Sequence, residues 1–271
     1  MEQAAAAAAT TSFAQIATAS GGAVRVEYAW VGVRDAAAPT VVFLHEGLGS
    51  VAMWRGFPGE FCVANGLRGF VYSRPGYGRS TPRASSEHWR PDFMAVHAGE
   101  VLPRLLRAVG ISHPWLFGHS DGATIALLHA ARHRDLAGVV AVAPHLFVED
   151  LSVASIRDAR IAYETGNLRE RLARYHDDVD SAFYGWNDVW LAPEFRDWNV
   201  EHELRTIRCP VLAVQGEDDE YGTLEQIRAV KRNVPHAELL VLPSCGHSPH
   251  RDQAEALTRE AGRFISQGSS D

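Results

Sequence analysis

The stretch Trp115-Leu116-Phe117-Gly118-His119-Ser120-Asp121-Gly122-Ala123 decides how the rest of the chain is read. An apolar run behind His113-Pro114 drives into Gly-His-Ser-Asp-Gly, and an alanine- and leucine-rich segment, Ala123 to Ala131, follows at once. The pattern predicts a strand, a sharp turn and a helix, with a serine at the apex. So tight a turn forces strained backbone angles on the serine. A side chain two residues to either side would collide across it, which is a physical reason for glycine at 118 and 122. The turn lifts the hydroxyl clear of the backbone, and the helix aims its N-terminal dipole and free N–H groups at the same spot.

Outward from this turn the chain alternates between short apolar runs and helical periods. Phe13–Thr18 and Val24–Val31, around Ser20-Gly21-Gly22, read as an antiparallel hairpin. Thr40–His45, Gly69–Tyr72, Gly138–Ala143, Cys209–Gln215 and Glu238–Leu242 read as strands. Several are apolar throughout, as strands buried on both faces are. Between them fall a helix carrying Trp54 and Phe61, one from Asp92 to Val109 with Val96, Val101, Leu102, Leu105 and Leu106 inward, one holding Ile227 and Val230, and a C-terminal helix. Gly99 and Pro103 weaken the second of these. The expected fold class is α/β, a mostly parallel central sheet with helices on both faces. In such sheets ligands sit at the carboxyl ends of the strands, where the motifs below also lie. From about Phe147 to Ile207 the alternation gives way to a helical pattern (Ile156, Ile161, Leu168, Leu172, Tyr175). An aromatic cluster follows: Phe183, Tyr184, Trp186, Trp190, Phe195 and Trp198.

Composition narrows the function classes. The chain has 271 residues and a net charge of −7, so nothing suggests a nucleic-acid surface. Arg169 to Arg174 sit among acids and read as a solvated helix face. Three cysteines, Cys62, Cys209 and Cys245, show no CxxC spacing, which makes a reducing cytoplasm the default. No stretch is apolar for long enough to span a bilayer, so no membrane partner is expected. Residues 1–11, alanine-rich without a basic n-region, read as a disordered tail. His129 and His133 are four apart on one helix but have no third ligand, so no metal is expected.

With Gly118-His119-Ser120-Asp121-Gly122 between strand and helix, the chain resembles the α/β-hydrolase superfamily, in its serine-nucleophile branch. The resemblance implies a core of residues 12–147 and 207–271, with an inserted helical cap at 148–206. It implies the order Ser, acid, His for the triad. Ser120 is the nucleophile; Asp219 stands three residues after Gly216, with Asp218 as the alternative. His247, in a Gly-His context after the last strand, is the base, with His250 as fallback. Oxyanion donors are then the backbone N–H of Asp121 and one from the loop His45-Glu46-Gly47-Leu48-Gly49, at Gly47 or alternatively Leu48. That loop resembles the family's His-Gly-x-x-Gly turn but carries Glu46 where glycine is usual. Either Glu46 turns away and pairs with a base such as Arg74, or it contacts substrate or a water. The first is the cheaper arrangement for a carboxylate.

The resemblance further implies cleavage of a carboxylic ester of a small to medium, partly apolar small molecule, with no cofactor. Pocket candidates are His45, Glu46, Arg74, His119, Trp186 and Trp190. The alternatives are a lactonase, a thioesterase or a carbon–carbon bond hydrolase of aromatic-degradation intermediates, with His45 and Arg74 holding an acidic product. A cofactor-free oxygenase or perhydrolase and a non-turnover ligand receptor share the same constellation.

Overall fold

Strands that are apolar on both faces need cover on both faces, and that requirement sets the architecture. The computed structural model describes residues 10–18, 21–84 and 86–268, so most of the alanine-rich tail and Ser20 lie outside the described residues. Its strands are β1 (Ser12–Ala17), β2 (Ala23–Gly32), β3 (Thr40–Leu44), β4 (Arg68–Tyr72), β5 (Trp115–His119), β6 (Gly138–Val142), β7 (Val211–Gly216) and β8 (Glu238–Leu242). They form one eight-stranded sheet in the order β1-β2-β4-β3-β5-β6-β7-β8. The hairpin β1–β2 and the β2–β4 pair are antiparallel, and every later pair is parallel.

Alternate residues of the central strands feed two cores. Val42, Leu44, Leu116, Val139, Ala141 and Ala213 face one, while Val41, Phe43, Phe117, Val140, Val142 and Val214 face the other. Helix α1 (Phe57–Ala64) covers the second face. The helix foreseen around Trp54 and Phe61 is broken: a 3₁₀ turn at Ala52–Trp54 is separated from α1 by Arg55 and Gly56. On the first face α2 (Phe93–Val96) passes through a π-wound stretch at His97–Val101 into α3 (Leu102–Ala108). Pro103 lacks the N–H a regular turn would give the Gly99 carbonyl, and the winding loosens just before it. Leu102, Leu105 and Leu106 are buried as expected, but Val96 faces outward at 41% exposure.

Helix α4 (Asp121–Arg132) starts immediately after β5. The chain leaves β3 for β4 on one side and returns to β5 on the other, so the strand order reverses here and opens a crevice at the carboxyl ends. Register places Leu44 against Gly118, which sets the loop after β3 beside Ser120. Between β6 and β7 run α5 (Asp150–Thr165), α6 (Leu168–Leu172) and α7 (Val179–Leu191), then two short 3₁₀ turns. Ile161, read as part of the apolar pattern here, is 60% exposed. Helices α8 (Glu225–Asn233), α9 (Pro249–Asp252) and α10 (Ala254–Gly268) complete the chain. No helix among the described residues is long and apolar enough to cross a membrane.

Candidate active site

Ser120 sits at φ 54°, ψ −122°, a conformation that non-glycine residues rarely adopt. The flanking glycines explain how the turn closes. A Cβ at Gly118 would lie 2.3 Å from the Gly122 carbonyl oxygen, and one at Gly122 would lie 2.1 Å from that of Leu44. Only glycine lets the start of α4 press against both β5 and the end of β3. The Ser120 N–H donates to the Val142 carbonyl (2.9 Å), anchoring the turn on the neighbouring strand.

The long-range expectation concerned Ser120, Asp219 and His247, and the structure brings these three together. The Ser120 hydroxyl lies 3.0 Å from His247 Nε2, and His247 Nδ1 donates to Asp219 Oδ1 over 2.9 Å. Asp219 Oδ1 also accepts from the N–H groups of Tyr221 (2.8 Å) and Gly222 (3.2 Å), and Oδ2 accepts from Gln215 Nε2 (3.1 Å). Burial works against the charge on Asp219, yet the hydrogen bond and charge of His247 and the Tyr221 N–H prevail, holding its carboxyl below the usual range. The alternatives do not reach this arrangement. Asp218 is exposed, and the ring of His250 packs at an angle among Trp54, Phe57 and His119. Burial and the neighbouring His119 push His250 down to about 2, so it is neutral.

The loop after β3 makes a turn in which the Gly49 N–H donates to the Glu46 carbonyl (3.1 Å). Gly47 and Leu48 line the same cavity as Ser120, and among the described residues neither N–H is taken up by a hydrogen bond. Asp121 is the first residue of α4, so its N–H has no carbonyl one turn back. A Cβ at Gly47 would lie 2.1 Å from Trp186 Nε1, because that ring packs directly over the turn.

The cavity measures 430 Å³. Of the pocket candidates, Glu46, His119 and Trp186 line it. The other three do not, and each has a structural task instead. His45 is fully buried; its Nδ1 donates to the Glu46 carbonyl (2.7 Å) and its Nε2 accepts from the Arg74 N–H (2.9 Å). Arg74 is buried too. Its Nη2 donates to the Glu46 carbonyl (2.8 Å) and lies 3.6 Å from Asp121 Oδ2. It borders a separate cavity of 280 Å³ with Tyr77 and Trp89. Trp190 is buried, with Nε1 donating to Asp121 Oδ1 (3.3 Å). Neither His45 nor Arg74 stands at the mouth.

Glu46 therefore does not pair with Arg74 through its carboxylate. Its Oε2 lies 3.6 Å from His119 Nδ1 and its Oε1 3.8 Å from Arg251. Burial opposes the charge, but His119 outweighs it and keeps the carboxyl well below its ordinary value. His119 Nε2 in turn donates to the His247 carbonyl (2.7 Å), tying the loop after β3 to the histidine. The buried Asp121 carboxyl shows the opposite balance: burial outweighs Arg74 and raises it.

Sequence reading missed several lining residues. Leu168 and Leu172 come from α6 and Tyr175 from the turn after it, Tyr221 lies two residues from Asp219, and Arg55, Arg171, Arg174 and Arg251 are exposed lining residues. Tyr221 and Arg251 were within reach of inference, two and four residues from Asp219 and His247 respectively. Arg171 and Arg174, read as part of a solvated face, instead border the cavity; Arg169 keeps to that face, paired with Asp180 (2.7 Å). Within the aromatic cluster, Trp186 meets the cavity, whereas Phe183, Trp190 and Phe195 are packed in the core.

Comparison with known proteins agrees with this architecture. The chain is 25% identical to a 2-hydroxy-6-oxo-6-phenylhexa-2,4-dienoate hydrolase of Burkholderia cepacia, over 84% of this chain and 88% of that one. It is 23% identical to a bifunctional esterase/perhydrolase of Acinetobacter calcoaceticus, over 76% and 84% respectively. A carboxylesterase structure from Nitrososphaera gargenis superposes with a TM-score of 0.76 at 20% identity, covering 95% of this chain and 99% of that one. A model of the alpha/beta hydrolase family matches residues 41–260. With most of its length so matched and a relay of this form at the crevice, the chain is a hydrolase and belongs to the alpha/beta hydrolase family.

Proposed function

We propose that this hydrolase cleaves a carboxylic ester of a small to medium, partly apolar substrate through an acyl-enzyme on Ser120. The observation that carries the reading is the Ser120–His247–Asp219 relay, 3.0 and 2.9 Å between successive partners, opening on a cavity of 430 Å³. That volume suits a small organic ligand. His247 Nε2 takes the Ser120 proton as Oγ attacks the acyl carbon, and the carbonyl π pair moves onto oxygen. The N–H groups of Asp121 and of Gly47, with Leu48 as the alternative, receive that oxyanion. The intermediate collapses, the alkoxide leaves with the His247 proton, and the acyl group stays on Ser120. Water then repeats the sequence and frees the acid, while Asp219 holds the Nδ1–H tautomer and steadies the cation. Residues 148–206 act as the cap, contributing Leu168, Leu172, Tyr175 and Trp186 to the cavity wall.

Steady multiple turnover of p-nitrophenyl butyrate, abolished in Ser120→Ala with the fold intact, is the expected result. A single stoichiometric burst in the unaltered protein would instead mark a ligand receptor. The likeness to the dienoate hydrolase favours carbon–carbon bond cleavage as a second reading. Faster turnover of a vinylogous diketone than of any ester would select it.

A further inference from the structure

The cavity mouth is electropositive in a chain whose net charge is −7. Arg55, Arg171, Arg174 and Arg251 line it, against two carboxylates, Glu46 and Glu220. Both carboxylates are engaged: Glu46 lies 3.8 Å from Arg251, and Glu220 Oε2 accepts the His247 N–H at 3.0 Å. Among the described residues no carboxylate lies within 4.0 Å of the guanidinium of Arg55, Arg171 or Arg174. Arg160 pairs with Asp188 (3.1 Å) and Arg169 with Asp180 (2.7 Å), and both lie off the cavity.

Backbone strain marks the same place. Arg55 is held at φ 53°, ψ −134°, nearly the conformation of Ser120, although Gly56 stands next to it. A non-glycine residue there costs roughly 1–3 kcal/mol, and such costs concentrate where a side chain must be aimed. Of the five non-glycine residues at positive φ among the described residues, Arg55 and Ser120 are the two that line this cavity. Arg171 and Arg174 are three apart in sequence, so they share one side of their turn.

We propose that the substrate carries a negatively charged group, a carboxylate or a phosphate, that seats between Arg55, Arg171 and Arg174 while its ester carbonyl reaches Ser120. This rests on the ester-hydrolase reading and adds the charge of the substrate. Guanidiniums match both oxyanions through paired N–H donors, and three unopposed cations at a cleft raise the local concentration of an anion. Glu46, held by His119 and Arg251, lies on the serine side and disfavours an anion seated deeper.

The test compares substrates matched in acyl chain length and unequal in charge. 4-Nitrophenyl hexanoate is set against the 4-nitrophenyl monoester of adipic acid, and hexanoyl-coenzyme A against the neutral N-acetylcysteamine thioester. At low salt the anionic member of one pair is favoured in kcat/KM by roughly tenfold or more, and the ratio shrinks as salt rises. The pair showing the preference tells carboxylate from phosphate. The ratio falls toward one in a variant combining Arg55→Gln, Arg171→Gln and Arg174→Gln, and stays put in Arg169→Gln. Ratios at or below one in both pairs, or a ratio the triple variant leaves unchanged, overturn the inference while leaving the hydrolase reading intact. If none of these compounds turns over, the ester reading fails, and calorimetry on Ser120→Ala decides the charge question alone. Monomethyl adipate binding tighter than methyl hexanoate supports it, and equal binding refutes it.

Discussion

Asp219→Asn separates two things a triad carboxylate does, fixing a tautomer and supplying charge, because the surroundings of Asp219 pin one oxygen. Oδ1 accepts from the Tyr221 and Gly222 N–H groups, so it stays an oxygen in the asparagine and still faces His247 Nδ1. The new amide nitrogen must occupy the Oδ2 side, opposite the Gln215 Nε2 donor, which is itself held by the Gly222 carbonyl (2.8 Å). The tautomer therefore survives and the negative charge is lost. Two unit charges about 4 Å apart at an effective dielectric of about 20 attract by about 4 kcal/mol. Removing that from the imidazolium-like transition state lowers kcat by about 10³. The assay is p-nitrophenyl butyrate turnover at neutral pH, with circular dichroism as the check on folding. A fall of less than about tenfold refutes the reasoning. A fall near 10⁴ means that the amide turned its NH₂ to the ring, and that the pinning fails.

Two further outcomes follow from the packing. Gly122→Ala places a Cβ 2.1 Å from the Leu44 oxygen and 2.7 Å from that of His45, both backbone atoms that cannot step aside. It destabilises the protein by about 1–3 kcal/mol, measured as a lowered midpoint in urea. Arg74→Met strands the buried Asp121 carboxylate and costs about 3–5 kcal/mol by the same titration. Adding Asp121→Asn restores most of that loss, and a strictly additive double variant would show that the two side chains do not interact.

The fold was legible because its strands are apolar on both faces, a pattern that leaves few architectures open, and because Gly118 and Gly122 have one shared steric reason. Ser120 and His247 were legible through their positions at strand ends. Asp219 was preferred to Asp218 for its place three residues after Gly216, and the backbone turns the first inward and leaves the second exposed. Arg74 and Trp190 were misread: each sits near the serine, but both are spent on the Asp121 side chain, and no sequence pattern distinguishes lining a cavity from bracing its wall. The arginines failed differently. Arg169 and Arg171 are two apart and so point to different sides of one helix, and a run treated as a single face hides that division.

Trp186 and Trp190 are one turn apart on α7, and they look at different things. The first ring rests over Gly47 beside the cavity, and the second holds the carboxyl of the residue directly after the nucleophile. A rigid rod of four residues thus connects the wall of the cavity to the side chain of the residue that follows Ser120. Whatever tilts this rod moves the ring over Gly47 and the anchor of Asp121 in one stroke, so the turn after β3 and the start of α4 shift as a unit.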